Sequence, residues 1–137
     1  MNYQDILERR GAGTLRFCEL FRPSDLTNED ALKKFDLKGS WGDLTEVSRK
    51  TAQDILTLFL WKDAAYQTEL MPFKQATTYM RSLPIWMPQF RYFTNGGWIS
   101  HFDGAASWLA MTDATFDGGI IALSEHIVAC YWFEDED

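Results

Sequence analysis

The chain has no Lys or Arg after Arg91. From Tyr92 to Asp137 it carries eight acids instead: Asp103, Asp113, Asp117, Glu125, Glu134, Asp135, Glu136 and Asp137. Residues 1–91 hold the other 12 acids and all 13 Lys and Arg, so the overall charge of −7 is a segment at −8 plus a remainder at +1. A segment with charge of one sign attracts cationic partners and repels phosphate backbones, which argues against direct binding of nucleic acid.

Cysteine is scarce. Cys18 and Cys130 are far apart in sequence and neither has a CxxC partner. They read as two buried thiols in a reducing compartment, with a disulfide between them left open. The first residues, Met-Asn-Tyr-Gln-Asp-Ile-Leu-Glu, bring acids early and no apolar core, so they do not read as a secretory signal. In the helical half the longest apolar run is Leu58 to Trp61, far short of a membrane span. A cytoplasmic protein with no membrane partner is expected. Low-complexity tracts, repeats and Pro/Gly/Ser linkers are also missing, so residues 1–137 are read as one domain.

Catalytic and ligand signatures are missing as well. The two histidines, His101 and His126, lack HxxxH, HxH or CxxC surroundings. Gly96-Gly97 and Gly118-Gly119 fall outside any GxxxxGK[ST] or GxGxxG pattern and sit among acids. Asp103, Asp113 and Asp117 lack DxDxDG spacing and read as turn residues rather than as a Mg²⁺ or Ca²⁺ site. Cys130, inside the most hydrophobic run, is expected to be an inert thiol. No metal, cofactor or catalytic group is assigned. The weakest functional reading is a small metal-dependent hydrolase built on the loop aspartates and His101.

Aromatic residues are abundant at 15%, with six Trp, in a chain otherwise of ordinary composition at 46% hydrophobic and 24% charged. Helical signals dominate residues 1–88. Residues 3–10 read as a short helix closed by Gly11. Leu15 to Phe21 alternates loosely and reads as strand or helix. Thr27, with Asp30 three residues on, opens a helix in the capping-box pattern, closed by Gly39. Leu44, Val47, Thr51, Ile55, Leu58 and Phe59 recur at spacings of three and four, predicting a long helix from Asp43 to about Tyr66 with an exposed Glu46–Lys50 pair. Pro72 opens another helix through Ala76, Tyr79 and Met80.

The period then changes to two, so residues 89–137 read as an antiparallel sheet with an acidic face. Asn95-Gly96 predicts a hairpin that places Phe93 opposite Trp98, Tyr92 opposite Ile99 and Phe90 opposite His101. Trp108 to Thr112 is a third strand and Asp117-Gly118-Gly119 a turn. Ile120–Leu123 and Ile127–Phe133 form a last hairpin, apolar on both faces and therefore central and helix-covered. The expected fold is α+β, a helical N-terminal two-thirds packed on a C-terminal antiparallel sheet of about five strands.

The run Gly118-Gly119-Ile120-Ile121-Ala122-Leu123, followed by Ile127 to Phe133 and Glu134-Asp135-Glu136-Asp137, resembles the closing hairpin of certain bacterial immunity proteins. These are small inhibitors encoded beside contact-dependent or type VI-secreted toxins, and the SMI1/KNR4-like immunity superfamily is one specific candidate. The resemblance implies a non-catalytic domain that plugs a basic toxin active site, often that of a nuclease. On that reading Asp103, Asp113, Asp117, Glu125, Glu134 and Asp135 face a basic protein partner, with Trp98 and Trp108 as aromatic anchors. A phage-type inhibitor that mimics nucleic acid would use the same surface on a different target.

Overall fold

The computed structural model describes residues 3–99 and 107–136. Helix α1, Gln4–Arg10, stops at Gly11, which turns left-handed (φ 66°) and returns its N–H to the Leu7 carbonyl. Strand β1, Thr14–Phe21, follows. Helix α2, Asn28–Lys34, starts on the expected capping box of Thr27 and Asp30. A 3-10 turn at Trp41–Asp43 leads into the short strand β2, Thr45–Val47, and then helix α3, Arg49–Trp61. Helix α4, Phe73–Ser82, opens at Pro72. Strands β3, Arg91–Thr94, β4, Phe116–Leu123, and β5, Ile127–Asp135, complete the order.

The five strands form one antiparallel sheet in the order β1-β5-β4-β3-β2. The fold is α+β, but its layers do not follow the chain. Two strands come from the first 88 residues, because β1 pairs with β5 along its whole length and β2 pairs with β3. As expected, β4 and β5 are central, and alternation splits their side chains between two cores. Ile120, Ala122, Ala129, Tyr131 and Phe133 pack under α1, α3 and α4. Ile121, Leu123, Val128, Cys130 and Trp132 pack under α2 and the Met111 loop. At about 1.5–3 kcal/mol for each large apolar side chain removed from water, this two-sided burial dominates the stability of the sheet.

Several local expectations fail for one reason: the strand partner lies far away in sequence. The helix expected from Asp43 to Tyr66 is shorter, because Ser48 caps α3 by accepting from Thr51 N at 3.1 Å and the residues before it join the sheet. Glu46 therefore meets Arg91 on β3 at 2.7 Å, and Lys50 pairs with Asp54 instead. The hairpin at Asn95-Gly96 does not form, since both edges of β3 are occupied by β2 and β4. Phe93 lies opposite Glu46 and Ile121, Trp98 enters the core, and His101 lies outside the described residues. Trp108 to Thr112 is a loop with a single bridge from Trp108 to Gly96, not a strand.

The expected turn at Asp117-Gly118-Gly119 lies inside β4. The glycines serve close approach there: a Cβ on Gly118 would overlap the Trp98 indole, and one on Gly119 (φ 155°) would overlap the Tyr131 carbonyl.

The end of β5 is locked by a buried ion pair. Arg10 donates to both carboxylate oxygens of Asp135, at 2.8 and 2.7 Å, and also to the Phe59 and Ala12 carbonyls. Asp135 accepts a further hydrogen bond from Ala64 N at 2.7 Å. Helix α1, the end of α3, the following loop and β5 thus meet at one guanidinium.

Because Trp98 is fully buried and cannot swing outward, Gly118→Ala is expected to destabilise the fold by about 1–3 kcal/mol, the usual cost of overpacking. Urea unfolding followed by Trp fluorescence measures this; an unchanged midpoint would show that the indole has room to move.

Candidate functional site

The eight residues expected to face a partner divide into three groups. Asp117, Asp135 and Trp98 are interior. Asp113, Glu134 and Glu125 keep surface contact, with Trp108 half-buried. Asp103 lies outside the described residues.

Asp117 is the clearest correction. It is fully buried, and its Oδ1 accepts from Met111 N at 2.9 Å and from the Trp132 indole at 3.1 Å. Asn95 bridges it to the rest of the fold. Its amide donates to the Asp117 and Leu109 carbonyls at 2.8 and 2.9 Å, while its Oδ1 accepts from the Trp98 indole at 2.8 Å. Asn95 and Asp117 thus bracket two tryptophans and the Met111 loop, in place of the turn and acidic patch expected of them. Among the described residues Asp117 Oδ2 has no partner at normal hydrogen-bond geometry. Burial away from water, only partly offset by donors from Met111, Trp132 and Thr112, raises the carboxyl's pKa above its ordinary value.

The acids that remain outside do not share one face. Glu125 sits in the turn between β4 and β5, with His126 Nε2 3.9 Å away. Glu136 follows the other end of β5, roughly 30 Å distant at about 3.3 Å per strand residue. That second end of the sheet gathers the rest. Asp113 pairs with Lys38 at 2.5 Å, and Arg16 pairs with Glu134 and, at 3.4 Å, with Asp36. Thr115 donates its backbone N–H and its hydroxyl to Glu136, at 3.3 and 2.7 Å. Glu134, Asp135 and Glu136 are therefore held at definite positions, and Arg16 and Arg10 match the charges of the first two while Lys38 matches Asp113.

An apolar ledge lies at the same end of the sheet on its other face, since Trp108 and Phe116 pack with the α3 core while Glu134 alternates onto the side of Trp132. Leu109 is 54% exposed. Trp108 packs against Phe116 with ring centroids 5.3 Å apart and against buried Trp98 at 4.9 Å. Trp98 in turn meets Phe59 at 4.8 Å, and Phe59 stacks on Phe133 at 4.9 Å beneath the Arg10 guanidinium. An unbroken run of rings thus connects the half-buried Trp108 and Phe116 to the Arg10–Asp135 pair. Rigid backing of this kind lowers the entropy lost when a partner covers the outer rings. Sequence reasoning missed Asp36, Leu109, Thr115 and Phe116. Only Phe116 carried a signal, as the residue that extends the period-two pattern of β4 back past the glycines.

The thiols are free, and they face each other: Cys18 on β1 lies directly opposite Cys130 on β5. Burial raises the pKa of both, which keeps them as thiols at neutral pH. Among the described residues no three His, Cys, Asp or Glu side chains converge as a metal site, and no helix is long and apolar enough to cross a membrane. No protein-family model matches this chain, and neither a curated protein nor a solved structure is similar enough to match it.

A folded-state pKa raised above the unfolded one gives stability that is full below the unfolded value and is lost as pH rises through the folded value. The Asp117 contribution should therefore grow as pH falls from neutrality through the raised value. Asp117→Asn keeps an oxygen for Met111 N and Trp132 and has no proton to take up. It is expected to flatten that part of the stability–pH curve, as measured by urea titrations across the acid range. An unchanged slope would place the pH dependence elsewhere.

Proposed function

We propose that this chain is a non-catalytic binding protein of the immunity type, which neutralises a basic protein partner, a toxin domain, by covering its cationic groove. The observation that supports this reading is the grouping at one end of the sheet. Asp113, Glu134 and Glu136 are held there by named partners, and the half-buried Trp108 and Phe116 stand at the same end on the opposite face of the sheet. Fixed carboxylates around a sheet end that also carries rigidly backed rings are ingredients of a hot spot with a charged rim. The carboxylates steer a cationic groove into place, and the rings supply the apolar contact that survives salt. Asp117, Asp135 and Trp98 contribute by holding this end in shape, since they are interior.

The reading assigns different weights to the two ends of β5. Asp113→Lys combined with Glu136→Lys should weaken capture of the partner at least about tenfold and reduce its salt dependence, as expected when two rim charges are reversed at about 1 kcal/mol each. Glu125→Lys, at the far end of the sheet, should leave capture unchanged. The assay is affinity capture from the native host at low and then high salt, with the bound protein identified by mass spectrometry. Equal capture by the double variant, or loss with Glu125→Lys alone, would contradict this assignment.

A further inference from the structure

Strand β1 closes one side of the sheet, and it is the edge that the fold leaves unguarded. At the opposite side β2 is only three residues long and its Glu46 is tied to Arg91 across the strand pair. Natural edges are usually blunted by shortness, by charged side chains or Pro, or by a bulge. Strand β1 has no such guard free, since its two charges, Arg16 and Glu19, are held by Glu134 and by the Tyr3 hydroxyl. It is eight residues long, contains no Lys or Pro, and no residue in it has positive φ.

The direction of its main-chain groups follows from the pairing. Arg22 N donates to His126 O at 2.7 Å, and the register carries that pair into Leu20–Val128, Cys18–Cys130 and Arg16–Trp132. In an antiparallel ladder the hydrogen-bonded pairs alternate, so the even residues of β1 bond to β5. The N–H and C=O groups of Leu15, Phe17, Glu19 and Phe21 therefore point away from the sheet. Phe21, at the end of this row, is 75% exposed, the most exposed large hydrophobic side chain among the described residues. At the other end Leu15 and Phe17 line a small groove against Tyr3 and Leu7 of the α1 region, with a volume of about 120 Å³.

We infer that β1 pairs antiparallel with β1 of a second copy of this chain, joining two five-stranded sheets about a two-fold axis that passes beside Cys18. Only one register uses all four outward residues: Leu15 bonds to Phe21 of the second copy and Phe17 to Glu19. In that register the exposed Phe21 lies across from Leu15 on the same face and covers the groove of Tyr3, Leu7 and Phe17, and the two-fold repeats the contact. No like charges face one another, since Arg16 lies opposite Leu20 and Glu19 opposite Phe17. The two Cys18 residues form a non-hydrogen-bonded pair, whose Cα separation of about 4.5 Å lies inside the range a disulfide spans. The axis is perpendicular to the sheet, so the two acidic ends point in opposite directions and both stay open.

The test uses the full chain, by light scattering over a concentration series and by cross-linking with the thiol oxidant diamide. Diamide takes two protons and two electrons from a pair of thiols, forming one disulfide and the corresponding hydrazine. The expected particle has twice the 15.9 kDa chain mass and dissociates on dilution. Phe21→Lys alters an exposed side chain and should leave unfolding of the diluted, monomeric chain unchanged while weakening the dimer at least tenfold. Glu19→Pro removes an outward N–H and spares the β1–β5 ladder; it should also weaken the dimer, and because it removes the acceptor of the Tyr3 hydroxyl it is expected to lower the unfolding midpoint. The covalent dimer should form in wild type and in Cys130→Ala and be absent from Cys18→Ala. A 15.9 kDa particle at every concentration, a dimer indifferent to Phe21→Lys, or a covalent dimer that persists in Cys18→Ala would each overturn the inference.

Discussion

The bidentate pair between Arg10 and Asp135 is the constraint on which the rest of the structure depends. A guanidinium and a carboxylate taken out of water carry a desolvation penalty of several kcal/mol each, which is offset only when nearly every donor and acceptor finds a partner. Here that condition is met by backbone from three places: the Phe59 and Ala12 carbonyls for Arg10, and Ala64 N for Asp135. Breaking the pair would leave a bare charge in the core, so α1, the end of α3 and the last strand residues are held together. The ladder of β5 with β1 and β4 is fixed at the same point, and Gly13 packs so closely against Glu134 and Asp135 that no side chain fits there.

This constraint decides what the C-terminal acids can do. A run of Glu and Asp after a central strand would ordinarily be a solvated tail that projects charge. In this fold Asp135 is committed inward, Glu134 is matched by Arg16, and Glu136 is pinned by Thr115. The field at that end of the sheet is smaller than the local charge of −8 suggests, but it is stationary, and the same end carries the Trp108–Phe116 pair on the other face. For recognition a stationary, partly compensated patch favours selectivity and association rate over bulk attraction. If β1 joins two copies, two such patches face opposite ways, and one dimer presents the surface twice.

How much of this was legible in the sequence depended on the range of the interaction. Local signals read true: Gly11 ending α1, the Thr27–Asp30 capping box and Pro72 opening α4 are contests within one turn of chain. The closing hairpin was legible as well, since a run apolar on both faces must be central in a covered sheet. Signals that depend on a distant partner misled. Leu44 and Val47 fit a helical period, yet β3 captures their segment as a strand. Asn95-Gly96 has the composition of a type I′ turn, but Asn95 is worth more as a buried bracket for Trp98 and Asp117, and β3 has no free edge to offer. Asp117 looked like a surface acid because Asp before two glycines is a turn pattern; the glycines are there to admit Trp98 and the Tyr131 carbonyl. The partnership of Arg10 with Asp135 spans 125 positions, and nothing local to either residue announces it.

The most direct measurement of this account is a double-mutant cycle on that pair, with Arg10→Met, Asp135→Leu and the combination unfolded in urea at neutral pH. Each single change should cost about 3–5 kcal/mol, because it strands the opposite charge in the core. The double variant should recover at least about 2 kcal/mol of the summed losses, the signature of two directly coupled groups. Losses that simply add, or an Asp135→Leu variant as stable as wild type, would contradict the claim that the C-terminal strand is anchored from within.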